Sequence, residues 1–296
     1  MKKKDASERR GYFILALPSV IIYGAVVVIP LLYTMFLSFN NWSGFGAPKF
    51  VGLQNYSTVF SDSVFWFSLR NNLLIVLVSV CGQIPLGFFM AYLLYRKIVR
   101  YRGFFEAMLF LPSILSPAVV GILFAIVFAP TGLLAVLIKQ ILRLPTFELL
   151  AFVDRETAII PYLIVILWMY TGIYMIIFTA NLQKISVDLL EAATLEGASE
   201  LQIMWYIILP LMVNTFFICS IYAIAGSLKG FELLWVMTRG GPSYYTHVLG
   251  IYMMNTSFTY YKYGLGSALA MILILSSVLL ITGLQRIANF FGGKYE

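Results

Sequence analysis

The chain has 296 residues, of which 61% are hydrophobic and only 11% charged, whereas a soluble domain carries about 25% charged residues. Water is therefore not the main solvent of this chain. The net charge of +7 does not indicate a nucleic-acid partner, because the basic residues are dispersed among short polar segments and form no continuous stripe.

Apolar stretches long enough to cross a bilayer, which takes about 20 helical residues, occur six times along the chain. They cover approximately 13–39, 73–95, 107–129, 157–180, 205–228 and 264–284. None contains Asp, Glu, Lys, Arg or His, as expected when a charge at the bilayer centre costs at least about 2.5 kcal/mol. Because backbone groups in lipid must be satisfied within the chain, the pattern predicts an all-α, polytopic membrane protein with six transmembrane helices.

Proline residues within these stretches predict kinks or helix ends, because proline lacks a backbone N–H group and restricts the preceding residue. They are Pro18, Pro30, Pro85, Pro112, Pro117 and Pro161.

The distribution of basic residues predicts the orientation of the chain. Segments 1–12, 96–106, 181–204 and 285–296 hold 12 of the 20 Lys and Arg residues, so both termini are expected in the cytoplasm. The first span is too long for a signal-peptide core and is expected to remain uncleaved. The expected organisation is a cytoplasmic segment 1–12, a first span with its external loop 13–72, a five-helix core 73–290 and a cytoplasmic tail 291–296.

Two external segments have a predicted form. The loop 40–72 is rich in Gly, Asn and Pro and is expected to include a short interfacial helix. The segment 132–143 is apolar but too short to span, so it is expected to lie in the outer interface.

The cytoplasmic loop within 181–210 differs from the other loops because it has the signals of ordered structure. Ser186 is a candidate N-cap, and Asp188 lies in the first turn of the helix that it would begin. Gly197 is suited to the left-handed conformation that ends a helix, and Ser199 with Gln202 forms a capping-box pattern. We therefore predict a helix–turn–helix that leads into the fifth span, which Pro210 is expected to bend.

The spans contain no charged group suited to catalysis or proton transfer, because they lack Asp, Glu, Lys, Arg and His. Cys81 and Cys219 have no partner at metal-ligand spacing, so no metal site is expected. No phosphate-binding glycine loop followed by Lys occurs, so this chain is expected to bind no cofactor. Any ATP-driven work is then done by another chain.

The cytoplasmic loop resembles the EAA signature of binding-protein-dependent ABC importer permeases. The matching residues are Glu191, Ala192, Ala193, Gly197 and the stretch 207–210, at the spacing of that signature. Glu196 stands where the family commonly has Asp. The resemblance implies that Glu191, Ala192, Ala193, Glu196, Gly197 and Ala198 couple this chain to an ATPase.

Further resemblance covers most of the chain and points to the carbohydrate-uptake branch of these permeases. The N-terminal matches are Pro18, Pro30, Tyr33, Ser38, Phe39, Trp42, the stretch 50–53, Asn55, Tyr56, Phe65, Trp66, Asn71 and Asn72. The stretch 234–238 followed by Gly240-Gly241-Pro242 is similar to MalF-like or UgpA-like subunits. The resemblance implies the MetI-like/MalF-like fold in a bacterial or archaeal plasma membrane.

The same resemblance implies the partners and the substrate pathway. The partners would be a second homologous permease, a cytoplasmic ABC ATPase dimer that uses ATP-Mg, an extracytoplasmic solute-binding protein and membrane lipid. A carbohydrate, an oligosaccharide or related polyol, would pass near Trp168, Tyr170, Gly172, Tyr174, Ala223, Ser227 and Gly230. A maltose permease has several Asn residues in this region, where this chain has Tyr, Ser and Gly, which weakens the case for a maltose-like substrate.

Three alternatives remain open from the sequence. The aromatic residues of the fourth span are as well explained by helix packing as by ligand contact. A passive channel or facilitator for a small polar solute would need no ATPase. A membrane-embedded enzyme would require Glu106, Asp154 and Glu156 to share a cavity.

Overall fold

A computed structural model describes residues 2–96, 98–129, 132–141 and 157–292. These residues are mostly helical, which confirms the predicted all-α class. The helices are α1 Lys2–Tyr23, α2 Ile29–Ser38, α3 Gln54–Ser61, α4 Ser63–Val78, α5 Ile84–Tyr95, α6 Arg102–Ile114, α7 Pro117–Val127, α8 Leu133–Ile141, α9 Ile160–Leu182, α10 Val187–Leu195, α11 Glu200–Ile203, α12 Leu209–Lys229, α13 Glu232–Thr238, α14 Leu249–Met254 and α15 Tyr263–Gly292. One antiparallel hairpin joins β1 Asn40–Asn41 to β2 Lys49–Phe50.

Among the residues that the structure describes, five continuous helical segments are long and apolar enough to cross a membrane. They are Leu15–Ser38, Ser63–Tyr95, Ile160–Leu182, Glu200–Lys229 and Tyr263–Arg286. Each contains most of one predicted span, and the second begins earlier than the sequence indicated. A sixth span is present only if α6 and α7 are counted together.

The predicted third span, 107–129, is not one straight helix. Helices α6 and α7 meet at an angle of 93°, so the predicted interruption at proline is confirmed at Pro117. Ser116 adopts an extended conformation with ψ of 129°, because the ring of Pro117 disfavours the helical region for the residue before it. Pro117 then begins α7, where its missing N–H group costs nothing.

Three of the proline residues follow a π-helical turn rather than a sharp kink. The π turns are Gly24–Val28, Ser79–Gln83 and Met204–Ile208, and they precede Pro30, Pro85 and Pro210, respectively. A proline ring clashes with the carbonyl four residues earlier, and a wider turn relieves that contact while the helix continues. These spans therefore remain continuous through their prolines.

The chain forms two compact units, of which the first comprises residues 1–62 and 253–272. The predicted short helix of the external loop is α3, and the hairpin before it was not predicted. Asn55 Nδ2 donates hydrogen bonds to the carbonyl oxygens of Ser38 and Asn40, both at 2.9 Å. The N–H group of Gly264 donates to the Trp42 carbonyl. A side chain at Gly264 would overlap the backbone of Asn40, so glycine is required at this contact.

The second unit comprises residues 63–252 and 273–296 and contains α9, the most buried of the candidate membrane spans among the described residues. Helices α5 and α6 both pack against α9. Gly87 on α5 and Gly172 on α9 permit these contacts, because a Cβ atom at Gly87 would lie 2.8 Å from Tyr174, and one at Gly172 would overlap the carbonyl oxygen of Leu109. Small residues at such crossings allow helix backbones to approach closely in membrane proteins.

Two predicted segments are described only in part. The predicted interfacial segment 132–143 contains α8, and its last two residues lie outside the described residues. Residues 293–296 of the predicted tail also lie outside them, as do Asp154 and Glu156.

Candidate functional site

The first helix of the loop within 181–210, which is predicted to be cytoplasmic, is α10, and it begins directly after Ser186. Ser186 occupies the N-cap position as predicted, but its side chain makes no capping hydrogen bond to the backbone. Its hydroxyl instead lies 3.5 Å from the carboxylate of Asp188. Asp188 lies in the first turn, where the helix dipole favours a negative charge. Leu190 anchors the helix in a buried apolar cluster.

The predicted left-handed turn is confirmed at Gly197, whose φ is +84°. The N–H group of Gly197 donates to the Thr194 carbonyl and that of Ala198 donates to the Ala193 carbonyl, both at 3.0 Å. This pair of hydrogen bonds is a Schellman motif, which satisfies carbonyl groups at the end of a helix. The turn therefore ends α10 in one defined geometry.

The predicted capping box at the next helix is also confirmed. The Ser199 N–H group donates to Gln202 Oε1 at 2.7 Å, and the Gln202 N–H group donates to Ser199 Oγ at 3.4 Å. The short helix α11 then continues through the π turn into α12 without interruption. The π turn accommodates Pro210 within this helix, and the size of the predicted bend at Pro210 stays a prediction. The loop is thus joined to the fifth span by one continuous helix.

The outer surface of the loop combines apolar and acidic residues. Leu189 and Leu195 are exposed, the latter by 88%. Glu191, Ala192 and Glu196 are exposed, while Ala193 and Ala198 are partly buried. Such a surface is suited to docking, and the coupling role of these residues stays a prediction.

A cavity of about 220 Å³ lies among the spans of the second unit. Its lining includes Ser79 and Gln83 of the second span, Tyr162, Tyr170 and Tyr174 of α9, Tyr222, Ala223, Ser227 and Gly230 of the fifth span, and Glu232 of α13. Aromatic faces and hydroxyl groups together suit the mixed apolar and polar surface of a sugar ring.

Hydrogen bonds hold the polar wall of this cavity in place. Ser227 Oγ donates to Ser79 Oγ at 3.0 Å, which joins the second and fifth spans. Gln83 Nε2 donates to the Ile166 carbonyl at 2.9 Å, which joins the second and fourth spans. Among the lining residues that the structure describes, Glu232 is the one charged side chain.

The structure separates the predicted pathway residues into two groups. Tyr170 and Tyr174 line the cavity, together with three predicted residues of the fifth span, Ala223, Ser227 and Gly230. Trp168 and Gly172 line a different groove, beside Met90 and Met108. Residues two apart on an α-helix point in nearly opposite directions, whereas residues four apart share a face. That spacing could have divided the two groups from the sequence, and the transport role of each residue stays a prediction.

Several cavity residues were not singled out from the sequence as pathway residues. They are Ser79, Gln83, Tyr162, Tyr222 and Glu232. Ser79 and Gln83 are four residues apart, so they share a helix face. Polar residues on one face of an apolar span are a signal for a polar pathway, and this one was overlooked.

The loop after the fifth span, which is predicted to be external, is held by two buried asparagines of the second span. Asn71 Nδ2 donates to the carbonyl oxygens of Tyr245 and His247, at 3.0 and 2.8 Å. Asn72 Oδ1 accepts a hydrogen bond from the Leu249 N–H group at 2.8 Å. Burial of the His247 imidazole lowers its pKa to about 4. The histidine is therefore neutral at pH 7 and serves packing.

The described part of the chain gives no support to a metal site or to a membrane-embedded enzyme. Residues 2–96, 98–129, 132–141 and 157–292 contain no cluster of three or more His, Cys, Asp or Glu side chains that could hold a metal ion. Glu106 lies 3.8 Å from Arg102 in a local ion pair on α6. Asp154 and Glu156, the other two carboxylates of the enzyme alternative, lie outside the described residues.

The apolar spans and the ordered loop joined to one of them define the class of protein as a multi-pass membrane transport subunit. A family model for the "binding-protein-dependent transport system inner membrane component" matches residues 83–290. The chain belongs to this family, which consists of ABC transporter permease subunits and not enzymes. This confirms the family that the EAA resemblance implied.

Individual relatives agree with the family assignment. A probable ABC transporter permease of Pyrococcus horikoshii is 35% identical over 273 residues, with 91% of this chain and 93% of the relative covered. The multiple sugar-binding transport system permease protein MsmF of Streptococcus mutans is 31% identical over 92% of this chain and 93% of its own. A bacterial alginate ABC transporter, solved in complex with an alginate pentasaccharide-bound periplasmic protein, matches with a TM-score of 0.82 at 18% identity over 96% of each chain. The predicted permease fold is thereby confirmed.

Proposed function

We propose that this chain is the permease subunit of an ATP-driven importer for a carbohydrate, an oligosaccharide or related polyol. The observation that carries the proposal is the cytoplasmic loop, in which α10, the Gly197 turn and the capped α11 connect directly to a cavity-lining span. Family membership gives the passive-channel alternative no support.

The substrate class follows from the cavity. Its four tyrosines, Tyr162, Tyr170, Tyr174 and Tyr222, offer aromatic faces, and Ser79, Gln83 and Ser227 offer polar groups. Carbohydrates combine apolar ring faces with hydroxyl groups and are recognised by such surfaces. The names of relatives support the same class, since MsmF serves multiple-sugar transport and the structural relative binds an alginate-loaded partner.

The partners follow from what this chain does not supply. A second homologous permease would complete the pathway, and a cytoplasmic ATPase dimer using ATP-Mg would dock on the exposed surface of α10. An extracytoplasmic binding protein would deliver the sugar to the external loops, as the printed description of the structural relative supports. Both termini would lie in the cytoplasm, as the distribution of basic residues predicts.

The expected mechanism is alternating access. Movement of a docked ATPase would displace α10, and the continuous helix from Glu200 would transmit that displacement to the fifth span. Ala223, Ser227 and Gly230 on this span line the cavity, so its movement changes which side of the membrane the cavity faces. Rigid rearrangements of packed helices are a common form of such transitions.

The test is reconstitution of the complex that co-purifies with this chain in mild detergent. We expect an ATPase and a second permease in the complex, and ATP-dependent uptake of a labelled neutral oligosaccharide into proteoliposomes when a sugar-loaded binding protein is present. Uptake of equal rate without ATP would refute an ATP-driven importer and favour a passive channel. ATP-dependent uptake of a non-carbohydrate solute alone would refute the substrate class.

A further inference from the structure

An ion pair on the cytoplasmic side connects two helices that are remote in the sequence. Arg96 caps the C-terminal end of α5, and Glu200 is the first residue of α11. Arg96 Nε donates to Glu200 Oε2 at 2.9 Å, and its Nη2 group donates to Glu200 Oε1. The guanidinium therefore contacts both carboxylate oxygens, the geometry in which an Arg–carboxylate pair is strongest and most directional.

Tyr92 joins this pair to the protein core. Its hydroxyl lies 3.2 Å from Glu200 Oε2 and 3.4 Å from the Glu200 carbonyl oxygen. The Tyr92 side chain is 6% exposed and belongs to the apolar cluster that also contains Leu190 of α10. Glu200 is thus held by a buried tyrosine as well as by Arg96.

The charges suit the two helix ends that they occupy. Arg96 lies at a helix C-terminus and Glu200 in a helix first turn, and each position favours the sign of charge that it carries. The hydrogen bonds from the Arg96 guanidinium to Glu200 raise the pKa of Arg96. The Arg96 side chain is 20% exposed, whereas that of Glu200 is 61% exposed, so water screens the pair only in part.

Both ends of this contact lead to the transport cavity. Helix α5 continues the second span, whose Ser79 and Gln83 line the cavity, and α11 continues into the fifth span. Between these two spans, Ser227 and Ser79 form a hydrogen bond at the cavity wall. The cytoplasmic loop is therefore connected to two cavity-lining spans, one through the backbone and one through Arg96.

We propose that Tyr92, Arg96 and Glu200 are positioning residues that transmit movement of the cytoplasmic loop to the second span as well as to the fifth span. The inference rests on the proposed function, since it deepens how ATP hydrolysis reaches the cavity. Arg96 would then have a role beyond orienting the chain in the membrane. Among the described cations of the basic segment 96–106, Arg96 is the one that contacts Glu200.

The test is a double-mutant cycle on the reconstituted complex, with sugar transported per ATP hydrolysed as the measured ratio. We expect Arg96→Gln and Glu200→Gln each to lower this ratio about two- to fivefold, the effect of one partly screened ion pair. The ratio in the double variant should be no lower than in the more impaired of the two single variants, because both substitutions break the same contact. ATP hydrolysis itself should continue, which separates lost transmission from lost assembly.

Arg102→Gln is the matched control. It removes a cation six residues further along the same basic segment, whose ion pair with Glu106 is local to α6, and it should leave the ratio unchanged. Tyr92→Phe is the second test variant, since it removes only the hydroxyl and keeps the buried ring, and it should lower the ratio as well.

Two results would overturn the inference. One is a wild-type ratio in both single variants, and the other is independent losses that multiply in the double variant. A wild-type complex without ATP-dependent uptake would instead refute the proposed function, so the two failures are distinguishable.

Discussion

Substitution of Gly197 by valine should uncouple ATP hydrolysis from transport. Gly197 has φ of +84°, and an added Cβ atom would meet no heavy atom within 4 Å. A valine side chain would therefore begin in open space among the described residues, and the free-energy cost of the substitution arises from the backbone conformation alone. A non-glycine residue in the left-handed region costs about 1 to 2 kcal/mol, and a β-branched residue belongs at or above the upper limit.

A cost of about 2 kcal/mol reduces the population of the native turn about 30-fold relative to its alternatives. The Schellman hydrogen bonds from Gly197 and Ala198 depend on this turn, so its loss changes the angle between α10 and α11. Docking on α10 would then no longer direct movement into the fifth span. The expected result is a complex that still assembles and hydrolyses ATP but imports at least about fivefold less sugar per ATP, since the native turn is populated so much less.

The assay measures uptake and phosphate release in the same proteoliposomes. Gly197→Asn is the first control and should retain most of the coupling, because asparagine tolerates the left-handed region better than other residues. Gly103→Ala is the second control, since Gly103 also has no neighbour within 4 Å but lies in a helix without positive φ. Wild-type coupling in the valine variant, or equal losses in the asparagine and valine variants, would refute the reasoning.

Three further predictions concern the cavity and the external loop. Tyr170→Ala should lower sugar uptake by at least about fivefold, as expected for loss of one aromatic contact. Trp168→Ala, on the opposite face of α9, should change uptake less. Equal effects of the two substitutions in uptake assays would contradict the assignment of faces. Asn71→Ala should lower the free energy of unfolding by about 2 kcal/mol, because it removes two hydrogen bonds to loop carbonyls. Thermal unfolding in detergent checks this, and an unchanged unfolding temperature would contradict it. Burial lowers the pKa of His247 from its ordinary 6.5 to about 4. Below pH 6.5 the imidazole therefore takes up a proton in the unfolded state but not in the folded state, and the free energy of unfolding should fall by about 2 kcal/mol between pH 6.5 and 5. Thermal unfolding should show this pH dependence in the wild type and a weaker one in His247→Gln.

The cytoplasmic loop was predictable because its signals are local. A Schellman turn and a capping box each involve residues within six positions of one another, so Gly197, Ser199 and Gln202 specify the geometry without help from distant elements. Ser186 was predicted less well, since its hydroxyl makes no capping bond to the backbone.

The third span shows where a composition argument fails. Hydropathy reports only that 107–129 is apolar, and an apolar run is compatible with a straight helix or with a bent pair. The bend of 93° occurs at Ser116 and Pro117, a local signal that predicted a kink but not its size. The angle depends on the contacts that each half makes, α6 with α9 and α7 with α13.

The amino-acid sequence by itself determined the spans, the ordered cytoplasmic loop and the family, because charge exclusion from lipid and capping hydrogen bonds act over short stretches of chain. Only the tertiary structure decided which side chains share the cavity, because helix packing selects one face of each span. It also decided the contact of Arg96 with Glu200, which are 104 residues apart. No local pattern encodes such a pair, since it exists only once α5 and α11 are brought side by side.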